Sequence, residues 1–83
     1  MQQTSMDAYR SIKVQLNKRQ QIVFDQLQMG AASNEKLSNL LHLPINQITP
    51  RVLELRKKGL VKSMYQEPGK SGRMAHVWGV VHA

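Results

Sequence analysis

Asn46, Gln47, Thr49 and Arg51 fall within six consecutive residues, and Arg56, Lys57 and Lys58 follow shortly after. Amide and hydroxyl groups suit the edges of bases, while guanidinium and ammonium groups suit phosphates. Lys70 and Arg73 add a second pair of cations in the glycine-containing run Gly69-Lys70-Ser71-Gly72-Arg73. Other chemistries lack their residues. His42, His76 and His82 are scattered and match no metal-ligand spacing. Ser63 and Ser71 have no base paired with them in the sequence, and Gly69-Lys70-Ser71 lacks the rest of a phosphate-binding loop. We therefore expect no catalytic residue, no metal site and no cofactor, and a chain that is not an enzyme.

The first cluster needs a helix to present it. Ile48, Val52 and Leu55 recur at i, i+4 and i+7, with Leu53 near the same edge, which predicts one buried apolar stripe. Asn46, Gln47, Thr49, Pro50, Arg51, Glu54, Lys57 and Lys58 are then left outside. The expected helix spans about 46–58, with Asn46 as its N-cap and Gly59 as its stop after two lysines. Pro50 suits the first turn, so a start with Thr49 as cap and Pro50 as first residue is the alternative.

Upstream, residues 1–5 read as a polar tail and residues 6–83 as a single domain. Met6, Tyr9, Ile12 or Lys13, and Leu16 suggest a first short helix, which could offer a homodimer contact or a docking patch. Asn17 then caps a second helix running to Gly30, with Ile22, Val23 and Leu27 inward and Phe24 and Met29 on its flank. After Gly30-Ala31-Ala32, Ser33 or Asn34 caps a third helix with Leu37, Leu40 and Leu41 as its buried stripe. Leu43-Pro44-Ile45 is the turn into the helix at 46. Two helices so closely joined make a helix-turn-helix, or a plain helical hairpin in a bundle. Downstream of Gly59, residues 60–66 and 74–81 read as two strands around a turn-rich loop at 67–73. Trp78 fits a packing role better than a base-stacking one.

Composition agrees with an anionic partner. Twelve Lys and Arg against five Asp and Glu give a formal net charge of +7 and a pI near 10.3. Seven basic and two acidic residues lie from Arg51 onward, so the positive charge gathers behind the helix at 46. That is the electrostatic footprint of a nucleic-acid binder. Cysteine is absent and no apolar run is long enough to span a bilayer, which predicts a cytoplasmic protein without a membrane partner. Few aromatic residues are available for stacking on single strands.

The order helix, helix-turn-helix, glycine, hairpin resembles the winged helix-turn-helix family. The run Ile48-Thr49-Pro50-Arg51-Val52-Leu53-Glu54-Leu55-Arg56-Lys57-Lys58-Gly59-Leu60-Val61 is similar to its recognition helix and first wing strand. Arg19-Gln20, the turn from Leu43 to Arg51 and Ser71-Gly72-Arg73-Met74-Ala75-His76-Val77-Trp78 resemble small phage or prophage members most. The resemblance implies an α+β, mainly α fold of three to four helices followed by a C-terminal β-hairpin wing at about 60–81. It implies double-stranded DNA as partner, with Asn46, Gln47, Thr49 and Arg51 nearest the bases and Lys70 and Arg73 on the backbone or minor groove. Arg51, near the bases, also joins Arg56, Lys57 and Lys58 in the phosphate contacts. The setting implied is a bacterial cell or phage-infected host, in transcriptional control or as a replication accessory. Winged helices also serve as protein-docking modules, which is the alternative.

Overall fold

A computed structural model describes residues 16–82 as three helices followed by a two-stranded antiparallel hairpin, an α+β arrangement. The helices are α1 (Lys18–Met29), α2 (Asn34–Leu41) and α3 (Ile45–Lys57); the strands are β1 (Val61–Pro68) and β2 (Met74–Val80). The helix expected from Met6, with its dimer or docking contact, and the expected tail at 1–5 lie outside the described residues, Leu16 excepted.

Local chemistry sets each boundary. Asn17 caps α1 through a capping box: its side chain accepts from the Gln20 amide at 2.9 Å, and Gln20 Oε1 accepts from the Asn17 amide at 3.1 Å. Ser33 caps α2 by accepting from the Lys36 amide. α2 ends on His42, a left-handed residue with φ 56°, and the Leu43 amide returns to the Ser38 carbonyl. The Ser38 hydroxyl also donates to the Leu43 carbonyl, so the His42–Pro44 turn is tied at both its backbone and side-chain level. At the end of α3 the Gly59 amide bonds Arg56 O and the Leu60 amide bonds Leu55 O. With Gly59 at φ 80° and Leu60 and Leu55 both buried, this is a Schellman stop with its apolar contact.

α3 begins earlier than the sequence predicts. Pro44, not Asn46, occupies the cap position, and Asn46 lies inside the first turn. Pro44 offers a fixed extended-to-helical φ and its carbonyl accepts from the Gln47 amide at 2.9 Å, so no side-chain cap is used. The alternative start at Thr49 fails too. The helix passes straight through Pro50, whose missing N–H deprives the Asn46 carbonyl of its i+4 donor.

Val23, Phe24 and Leu27 from α1, Leu37 from α2, and Ile48, Val52 and Leu55 from α3 meet in one core. Leu60, Val61, Trp78 and Val80 close it from the base of the hairpin. Removing any one of the fully buried aliphatic side chains would cost about 2–5 kcal/mol. Three expected core positions face out instead: Ile22, Leu40 and Leu53 are each more than two-fifths exposed. Met29, on the flank of α1, is exposed as well. An eight- or thirteen-residue helix resting on one side of a small core buries a narrower stripe than its apolar residues could fill.

The hairpin pairs Val61 with Val80 at its base and Pro68 with Met74 near its tip, with an irregularity at Met64. Glu67 and Pro68 are in the ladder, so the loop is shorter than expected. Gly69 and Arg73 face each other, and the Gly72 amide closes on the Gly69 carbonyl, leaving Lys70, Ser71 and Gly72 as a three-residue turn with Gly72 at φ 83°. Ala32, read as mere connection, forms a two-bond bridge to Trp78 and so fastens β2 to the α1–α2 loop. Met64 lies across Gly79, where an added Cβ would stand 2.5 Å from Met64 Cγ.

Candidate nucleic-acid interface

At 100° per residue, the buried Ile48, Val52 and Leu55 put the outward ridge of α3 at Asn46, Pro50, Leu53 and Lys57. Gln47, Arg51, Glu54 and Lys58 fall on one flank, and Thr49 and Arg56 on the other. Asn46 is exposed and Gln47 is half-buried beside α1. Thr49 is exposed, but its hydroxyl donates to the Ile45 carbonyl at 3.2 Å. With its proton used, that hydroxyl offers lone pairs outward and suits a donor such as a base amino group. Leu53, expected inside, is the apolar centre of the outward ridge with Pro50.

Arg51 has a second allegiance. Its Nε and Nη2 both lie 2.9 Å from the Glu54 carboxylate, a forked pair one helical turn apart, and the Arg51 side chain is only 20 % exposed. Glu54 Oε1 also accepts from Gln20 Nε2 at 2.8 Å, which ties α3 to α1. The Gln20 amide, then the Arg51 guanidinium, hold the Glu54 carboxyl below its ordinary range. Glu54 is the one acidic residue of α3, and its charge is spent on this flank. The ion pair at i, i+3 was open to inspection in the sequence; Gln20, 34 positions away, was not.

Arg56 is exposed, and its guanidinium carbon stands 4.7 Å from the centre of the Trp78 ring. Trp78 itself is 6 % exposed and packs in the core, with His76 stacked on it at 5.0 Å between centroids. His76 Nδ1 shares a 2.8 Å hydrogen bond with Ser63 Oγ, so Ser63 does have a base beside it. Sequence spacing hid that pair because it is formed across the hairpin. The contact braces the two strands.

Lys57, Lys58, Lys70 and Arg73 are all exposed, the first two at the end of α3 and the last two at the hairpin tip. Two open clefts border α3. One, of about 320 Å³, is lined by Lys18, Arg19, Ile22, Leu43, Gln47 and Arg51. The other, of about 360 Å³, is lined by Leu53, Arg56, Lys57, Val61, Lys62 and Ser63. Lys18, Arg19 and Lys62 were not among the DNA-contacting residues expected from the sequence, although Arg19 belongs to the Arg19-Gln20 pair that carries part of the resemblance. Their charges were visible, but only the packing of α1 and β1 against α3 brings them to its sides.

No protein-family model and no curated protein matches this chain. Among the described residues no group of three His, Asp or Glu side chains could hold a metal ion, and no helix is long and apolar enough to cross a membrane.

Proposed function

We propose that this chain is a winged helix-turn-helix module that binds double-stranded DNA, acting in transcriptional control or in phage replication. α3 enters the major groove, with Asn46, Gln47 and Thr49 toward base edges and Pro50 and Leu53 against thymine methyl groups. Lys57, Lys58 and Arg56 meet phosphates at the rear of the helix, and Lys70 and Arg73 at the tip of the wing meet the backbone. Arg51 acts chiefly by fixing the flank of α3 through Glu54.

The observation that carries this reading is the sign of the exposed surface of α3. Its only carboxylate is bound sideways by Arg51 and Gln20, which leaves an outward ridge of amide, apolar and ammonium groups with exposed cations behind and beyond it. A fluorescent duplex of about 20 base pairs, titrated at several salt concentrations, tests it by anisotropy. The expected result is a dissociation constant in the micromolar range or below, with log K falling linearly with log salt. Gln47→Ala is expected to cost about 1–3 kcal/mol at one base position of the preferred site and little on unrelated duplexes. The second reading, a docking module, draws on Met64, Tyr65 and Met74, which leave half or more of their surface exposed along the hairpin. A folded protein that ignores duplex even at low salt would favour it.

A further inference from the structure

We infer that Lys18 and Arg19, at the start of α1, form a phosphate-binding station on the DNA strand opposite the one met by Arg56, Lys57 and Lys62, so that α3 is held from both sides. This rests on the duplex-binding reading and extends its footprint to an element that the helix-turn-helix and wing do not include.

The geometry comes from the two clefts. Gln47 and Arg51 occupy one flank of α3 and Arg56 the other, on opposite sides of the outward ridge. The cleft on the Gln47 side takes its free cations from α1, as Lys18 and Arg19, both exposed. Arg51 also lines it but has its charge matched by Glu54. The cleft on the Arg56 side takes its cations from the end of α3 and from β1, as Arg56, Lys57 and Lys62. A helix lying in a major groove about 12 Å wide has one sugar–phosphate strand along each side. Each strand therefore meets one cationic cleft. Asn17 and Gln20 fill their own hydrogen bonds at the end of α1, so the station is built from the side chains of Lys18 and Arg19, on a cleft whose other wall is α3.

The Gln20–Glu54–Arg51 chain gives this station its position. It joins α1 to α3 within two residues of Lys18 and Arg19, so the spacing of the two helices that carry the cations and the outward ridge is set before DNA arrives. Preset contacts of this kind set register without reading sequence.

The test compares the salt dependence of duplex binding for the wild-type chain, Lys18→Gln/Arg19→Gln and Lys57→Gln/Lys62→Gln, with thermal melting to confirm that each is folded. Each phosphate contact contributes about 0.9 to the slope of log K against log salt. The inference expects each double variant to lose about 1.8 from the slope, and the quadruple variant to lose about twice that. It also expects the affinity deficit of the Lys18→Gln/Arg19→Gln variant to be roughly ten-fold larger at 50 mM than at 200 mM salt, on every duplex alike. If that variant keeps the wild-type slope while Lys57→Gln/Lys62→Gln loses its share, the α1 station is overturned and the duplex-binding reading stands. If the wild-type chain itself shows no salt-dependent binding, both fall together.

Discussion

Glu54 decides more than its sequence context suggests. It accepts from Gln20 and from both arms of Arg51, and these partners favour its charged form. A carboxyl lowered in the folded state contributes stability that is present above its unfolded value, about 4.3, and that is lost as the pH falls through the lower folded value. Glu54→Gln keeps the shape but removes the charge. Its melting temperature is therefore expected to decline less than that of the wild type between pH 5 and pH 3, and to start lower at pH 7. Glu54 is 37 % exposed, so solvent screens the pair and the pH 7 difference should stay below about 1 kcal/mol. Parallel pH profiles for the two proteins would show that the carboxylate does not brace the fold. At this scale the sequence was partly legible. Asn46 and Thr49 are exposed as their place in the pattern requires, while the tie of Glu54 to Gln20 and the pairing of Ser63 with His76 depend on neighbours that periodicity does not reveal.

Elements were legible where a local signal ends them. Asn17 with Gln20, Ser33 and Gly59 all mark boundaries through hydrogen bonds made within a few residues. The start of α3 was misread because Asn46 is a good cap residue in isolation, while Pro44 gains the position through its preset backbone. Leu53 was placed inside because four apolar residues fit one face, and only the narrow contact with α1 and α2 decides which three are covered. The Ala32 bridge had no signal at all, since a single ladder position has no period. Pro50 is the testable feature of α3. It sits inside the helix and removes the bond to the Asn46 carbonyl. Pro50→Ala restores that bond, and is expected to raise stability by about 1–3 kcal/mol, or several degrees or more in melting temperature. The same change withdraws a free acceptor and an apolar contact from the outward ridge, so tighter folding should come with weaker or altered site preference. A variant no more stable than the wild type would show that the ring's own packing offsets the missing hydrogen bond.

At the scale of the whole molecule, stability is graded along the hairpin. Its base is sealed into the core by Val61, Trp78 and Val80 and fastened by Ala32, whereas β1 beyond Val61 is exposed and the tip buries almost nothing. Local opening should follow that gradient, because opening free energies track buried contacts. Amide hydrogen exchange is expected to show protection near the global limit for the Ala32–Trp78 bridge and the base of the ladder, falling to about 0–2 kcal/mol for the Gly69 and Gly72 amides at the turn. The core of α3 should be as slow as the base of the hairpin, since Ile48, Val52 and Leu55 are buried against all of its neighbours. Added duplex should then change the two regions differently. If Lys70 and Arg73 engage the backbone, the turn amides gain protection on binding while those of the α3 interior, already slow, change little. Saturating duplex that leaves the tip as fast as before would remove the wing from the interface and confine binding to α3 and its flanking clefts.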